Sequence, residues 1–273
     1  MVQVDDESGE ERKPLQQHAE GMMITHNLSP AEVTRYSQQI ALTEWGREAQ
    51  EKMKSSRVLL AGAGGLGSAV ALHLLATGVG ALRVVDQSRV SLADLNGTIL
   101  YRERDLGKTK SAVAERRLKE INSFVTVEGH GKTISEHNVT RLASGCQLII
   151  DAMQEQHAGE FLNLAAVRHR LPLIYAWVGE MDGLLTTFWP GQGPCLACYL
   201  PNAPLNGHPA LMGPLPGIMG ALLSLEALRT LGGMGPALVG RLLIFKGRWF
   251  YFKEERIRVN PHCPVCGPLQ VRT

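Results

Sequence analysis

Hydrophobic positions along this chain switch between two periods, and the switches mark where elements begin and end. Residues 58–61 form a short apolar run of strand length, which breaks on four glycines, Gly62, Gly64, Gly65 and Gly67. Directly after them, SAVALHLLATG returns to apolar side chains at helical spacing among good helix formers. The pattern therefore predicts strand, glycine turn and helix in succession. A second strand, ALRVVD, ends on Asp86. QLIIDAM (147–153) reads as a buried strand with Asp151 near its C-terminal end, and LPLIYAWVG (171–179) as another. Helices are predicted over SAVAERRLKEIN (111–122), GEFLNLAAVRHRL (159–171) and GIMGALLSLEALRTLGG (217–233), the last closed by Gly232-Gly233. TVEGHGKTI (126–134) reads as strand and turn, and the polar stretch 88–110 as a loop crossing the glycine turn.

From residue 181 the style changes. Glycine- and proline-rich loops separate shorter apolar runs, as in an antiparallel section added to a parallel core. RLLIFKGRWFYFKEERIRV (241–259) reads as a hairpin around Lys246-Gly247. At the other end, residues 1–28 offer no periodic apolar face and are expected to be a flexible tail. Order is expected to begin at Ser29-Pro30-Ala31-Glu32, where serine caps, proline opens a helix and glutamate closes a capping box. Residues 34–56 should continue as helix with a break near Gly46. The fold class is thus α/β: a Rossmann-like, mostly parallel sheet with helices on both faces and an antiparallel C-terminal extension. Residues 29–273 are expected to form one domain.

Composition changes this picture little. The 273 residues are 44% hydrophobic and 20% charged with a net charge of +2, which gives no reason to expect nucleic acid or an acidic membrane surface. No apolar run is long enough to span a bilayer, and the N-terminus lacks the apolar core of a signal peptide, so a cytoplasmic location is expected.

The chemistry lies in two patterns. Glycines at G-x-G-x-x-G spacing between strand and helix let backbone approach a phosphate at the positive end of a helix, and an acid about 20 residues on can accept from ribose hydroxyls. Gly62, Gly64, Gly65, Gly67 and Asp86 therefore read as a nucleotide site. Four of the five cysteines form two C-x-x-C pairs, Cys195 with Cys198 and Cys263 with Cys266, a tetrahedral set suited to structural zinc. Four protein ligands leave no open position, so such a metal would clamp the C-terminal segment and do no chemistry. Cys146 stands apart as a core thiol.

Glycine turn, later acid and paired cysteines in this order resemble the ThiF/MoeB/HesA adenylyltransferases, relatives of ubiquitin-activating enzymes. The resemblance runs from RYSQQIALTEWG to the final CPVCG. It implies ATP and magnesium binding, adenylation of the C-terminal glycine carboxylate of a ubiquitin-like sulfur-carrier protein or peptide, and a homodimer. It also implies that Lys110 reaches the phosphates and that Asp94 stands at the family's asparagine. Departures are equally visible. Gln38 and Gly97 stand where the family has arginines, Thr98 where it has glutamine, and Gln154 where it has the magnesium-binding aspartate. Arg102, Arg104 and Lys108 could restore positive charge, and Glu155 the missing carboxylate, with Asp151 on the same strand end. His208, in the family's crossover loop, is expected to be a surface residue. Two further readings follow: a catalytically weakened pseudoenzyme acting as a binding or regulatory partner, and an NAD-dependent oxidoreductase on the same turn.

Overall fold

The computed structural model describes residues 27–199 and 210–267. Most of the N-terminal tail, the stretch carrying His208 and residues 268–273 lie outside them. The folded body starts earlier than expected. Leu28 is buried and the Lys54 ammonium donates to the Asn27 carbonyl, so both residues belong to the body.

Helix α1 (Pro30–Arg35) opens as anticipated: the Glu32 N–H donates to Ser29 Oγ and the Ser29 N–H to the Glu32 carboxylate. The helix then breaks twice, giving α2 (Ser37–Ile40) and α3 (Gly46–Ser55). The reason is tertiary. Tyr36 turns inward to meet Asn122, and the buried Trp45 donates from its indole to Gln50, which also receives Gln39.

Beyond these come β1 (Arg57–Ala61), α4 (Gly65–Thr77), β2 (Ala81–Val85), two short 3₁₀ turns (Ala93–Asn96 and Glu103–Asp105), α5 (Lys110–Ile121) and β3 (Thr126–His130). The chain continues through α6 (Glu136–Ala143), β4 (Leu148–Asp151), α7 (Gln156–His169), β5 (Leu173–Gly179) and β6 (Asp182–Phe188). It closes with α8 (Leu196–Tyr199), α9 (Leu215–Gly232), β7 (Arg241–Lys246) and β8 (Tyr251–Arg256). The eight strands of the described residues make one sheet in the order β3-β2-β1-β4-β5-β6-β7-β8. The first five run parallel and the last three pair antiparallel, as the change of style at residue 181 predicts.

Apolar side chains alternate between two cores. Leu60, Leu82 and Ile150 face α3, α4, α5 and α9, while Leu59, Ile149 and Leu173 face α6 and α7. Two details differ from the pattern reading. Helix α6 was not anticipated; at eight residues it is too short for a clear period, and its cap (Ser135 N–H donating to Asn138) is its main signal. The hairpin turn is also longer than Lys246-Gly247. Lys246 pairs with Tyr251, so the turn is residues 247–250, with Phe250 at φ 53°.

Candidate functional site

Strand order reverses at β1, whose neighbours are β2 and β4, and open α/β sheets leave a crevice at the carboxyl end of such a switch point. Here a cavity of about 540 Å³ occupies it. Gly62, Gly64 and Gly65 form one wall, with Asp86 and Ser88 after β2 and Ala152 to Glu155 after β4. Asp94, Asn96, Gly97, Thr98 and Lys110 enter from the loop, and Leu211 and Pro216 from the approach to α9.

The glycines have separate jobs. Gly62 adopts φ +94°, and a Cβ there would stand 2.7 Å from the Ala152 carbonyl. A Cβ on Gly67 would stand 2.0 Å from the Gly62 carbonyl, so this residue sets the contact between α4 and β1. Gly64 is different: it lines the cavity, and nothing lies within 4 Å of where its Cβ would stand. As N-cap of α4 it has no side-chain cap, which leaves the unpaired N–H groups of the first turn for an anion.

Asp86 is buried and holds the turn from below. Its Oδ2 accepts the Ala63 N–H at 2.8 Å and its Oδ1 the Ser88 N–H at 2.7 Å. Tyr101, which the sequence reading passed over, completes the cradle by donating its hydroxyl to the Ala63 carbonyl at 2.6 Å. Burial raises the pKa of this phenol, keeping it a donor. Its sequence signal is slight, one aromatic residue in a polar loop.

Lys110 begins α5 and points into the cavity, where its Nζ meets Asp94 Oδ1 at 2.6 Å. Asp94 Oδ2 accepts both the N–H (2.8 Å) and the hydroxyl (2.7 Å) of Ser91. Burial works against this carboxylate's charge, yet the lysine and serine donors outweigh it and lower its pKa.

Other candidate residues go elsewhere. Arg102 and Arg104 are exposed on the loop and do not line the cavity, and neither does Lys108. Asp151 is buried on the opposite face of the sheet, beside Tyr175 and the first turn of α7. Burial pushes its pKa up to about 7, and its Oδ1 accepts the Met153 N–H at 3.1 Å. It shapes the backbone after β4 from behind. Gln154 does line the cavity, at φ 59°, with its side-chain carbonyl accepting the Val178 N–H at 3.2 Å. Gly97 lines it too, at φ −121°, so positive φ does not account for this glycine. Among the described residues no arginine lines the cavity. Asn96, whose role no motif announced, does.

The second pattern assembles as anticipated. Cys195, Cys198, Cys263 and Cys266 bring their sulfurs within 4.8 Å of one another, with 3.7 Å between Cys195 and Cys263 and 3.6 Å between Cys198 and Cys266. Metal–sulfur bonds of about 2.3 Å in a tetrahedron would place sulfurs about 3.8 Å apart, so the cluster can close on one ion. The Asn163 amide points at the Cys195 sulfur and the Asn260 N–H at that of Cys198. Cys146 is buried away from them.

Comparison with known proteins agrees with this geometry. A family model described as "ThiF family" matches residues 36–265. "Sulfur carrier protein adenylyltransferase" from Thermus thermophilus is 34% identical over 247 residues, covering 86% of this chain and 91% of the relative. "Protein HesA, vegetative" from Trichormus variabilis is 36% identical over 244 residues, covering 88% and 92%. "Adenylyltransferase and sulfurtransferase MOCS3" from Drosophila persimilis is 36% identical, and the match covers 88% of this chain but 55% of that longer relative. Among solved structures, E. coli MccB with ATP superposes with a TM-score of 0.75 at 22% identity, over 85% of this chain and 74% of MccB, a likeness of fold. PaaA gives 0.74 at 25% identity, over 88% and 78%.

Proposed function

The chain belongs to the ThiF family, and on that premise we propose that it is an ATP-dependent adenylyltransferase. Its substrate would be the C-terminal carboxylate of a ubiquitin-like sulfur-carrier protein, or of a peptide ending in glycine. The observation that carries the reading is the turn at Gly64, open to a cavity that Lys110 and Asp86 also line.

In the reaction a carboxylate oxygen attacks the α-phosphorus and pyrophosphate leaves, so negative charge grows on the phosphates. Backbone N–H groups at the start of α4 meet that charge without reorganising, and Lys110 supplies an ammonium. Asp86, fixed by two backbone N–H groups, has lone pairs left for ribose hydroxyls. Magnesium would supply charge neutralisation between phosphates. It is commonly held by one or two carboxylates plus the phosphates themselves. Glu155 suits that part, because it lines the cavity and makes no side-chain hydrogen bond or ion pair among the described residues. Gln154, at the position of the family's aspartate, offers only an amide.

For the cysteine cluster we take zinc as the metal, in a structural role: it would tie Cys263 and Cys266 to the segment beside α7. A homodimer is the assembly that fits the remaining surface. One face of α9 packs on the core, and Ile218 and Leu225, two turns apart, stay exposed on it, as does Leu42 after α2. The reaction needs nothing from a membrane or nucleic acid, and a cytoplasmic setting suits four reduced thiolates.

One observation favours a second reading. With no arginine lining the cavity among the described residues, charge stabilisation is thin, as in a pseudoenzyme kept for binding or regulation. ATP–pyrophosphate exchange with carriers ending in Gly-Gly separates the two. Carrier-dependent exchange supports the enzyme; nucleotide binding without exchange supports the pseudoenzyme.

A further inference from the structure

The cavity's charges do not match the ligand. Among the described residues its lining includes three carboxylates, Asp86, Asp94 and Glu155, against one ammonium, Lys110. That ammonium is already engaged: Asp94 holds it at 2.6 Å, and both side chains are largely shielded from water. Two hydrogen bonds from Ser91 brace the carboxylate in place, so it is a built partner and not a passing one. A phosphate arriving at Lys110 must therefore compete with an internal anion, and it must come close to that anion to do so.

On the adenylyltransferase reading, we propose that Asp94 is an intramolecular counter-ion which occupies Lys110 until phosphate displaces it, and so determines nucleotide specificity. At a few ångströms in a partly desolvated site, a carboxylate left beside a phosphate repels it by more than one tenfold step in affinity. The penalty grows with phosphate charge. In the absence of divalent cations the pocket therefore holds AMP at least as well as ATP. Asp94 would thus disfavour the triphosphate substrate relative to the adenylate portion of the product.

The test is calorimetry of adenosine, AMP and ATP without divalent cations, on the 273-residue wild-type chain and on Asp94→Asn, Lys110→Met and the double variant. Asparagine keeps the acceptor for Ser91 and removes the charge. Asp94→Asn should tighten ATP by about tenfold or more and AMP by less, leaving adenosine within about twofold. Lys110→Met alone should weaken ATP, and in the double variant the gain from Asp94→Asn should shrink to the part that comes from relieved carboxylate–phosphate repulsion, because no ammonium is left to free. If the wild-type protein binds ATP and Asp94→Asn binds it no tighter, the counter-ion role is overturned. A gain that Lys110→Met leaves undiminished, or that appears equally for adenosine, overturns it too. If no form binds any nucleotide, the adenylyltransferase reading itself falls, and the counter-ion with it.

Discussion

The substituted positions differ in what the backbone would allow back. Gly97 sits at φ −121°, and a Cβ there meets its neighbours at ordinary contact, 3.7 Å from the Gly213 carbonyl at the nearest. Gln154 occupies the left-handed region, which aspartate tolerates better than most residues. Gln38 is exposed on α2 and does not line this chain's cavity, as suits a residue that would act across a dimer. Returning the family's side chains is therefore feasible without rebuilding the fold. The combined Gln38→Arg, Gly97→Arg and Gln154→Asp variant should raise carrier-dependent ATP–pyrophosphate exchange by roughly 10²-fold, since one transition-state donor is commonly worth that much. An unchanged rate in a folded variant would show that charge stabilisation is not what limits it. Much at this scale is legible in sequence, because glycine spacing and cysteine pairs are rules about backbone and coordination. The Asp94–Lys110 pair is not, since it joins residues 16 apart through a loop whose path only the tertiary fold defines.

At the scale of elements, the loop between β2 and α5 is anchored by one buried carboxylate. Asp105 is fully shielded and receives Arg117, Arg116 at 2.8 Å and the Arg102 N–H at 3.2 Å. Burial alone would raise its pKa, but these donors outweigh it and bring the value from 3.8 to about 2. A depressed carboxylate stabilises the fold at pH above its unfolded value and loses that contribution as pH falls through the folded one. This site should contribute about 2 kcal/mol at neutral pH and lose it between about pH 4 and pH 2. Asp105→Asn should accordingly destabilise the protein by about 2–4 kcal/mol at pH 7, with the gap to wild type narrowing toward pH 2, measured by urea denaturation across that range. A gap independent of pH would mean that packing, not charge, holds the loop. The elements themselves follow the sequence where a period is long, as in α4, α7 and α9. They escape it where a tertiary partner decides, as at Tyr36 and Trp45, or where a helix is as short as α6.

Across the whole molecule, the parallel half builds the cavity at the switch point and the antiparallel half leads to the cysteine cluster. Cys195 precedes α8 and Cys198 lies within it, while Cys263 and Cys266 follow β8, so a metal there would join segments 68 residues apart. Cys263→Ser should lower metal content and melting temperature together, by on the order of 10 °C, because metal binding at such a site is part of the folding free energy. Elemental analysis and calorimetry check it, and a protein that melts unchanged after losing its metal would contradict the clamp. Sedimentation at micromolar concentration should give a dimer, and a monomer would leave the exposed faces of α2 and α9 unaccounted for.

On the adenylyltransferase reading, nucleotide sits against the open side of Gly64. Equilibrium binding of ATP by the wild-type protein and Gly64→Val, each with its melting curve, tests it most directly. A Cβ there has no neighbour within 4 Å, so the variant should melt within about 2 °C of wild type while its branched side chain fills the phosphate's place. The wild type should bind ATP saturably and the folded variant not at all; ATP binding that survives Gly64→Val would mean that the phosphates lie elsewhere.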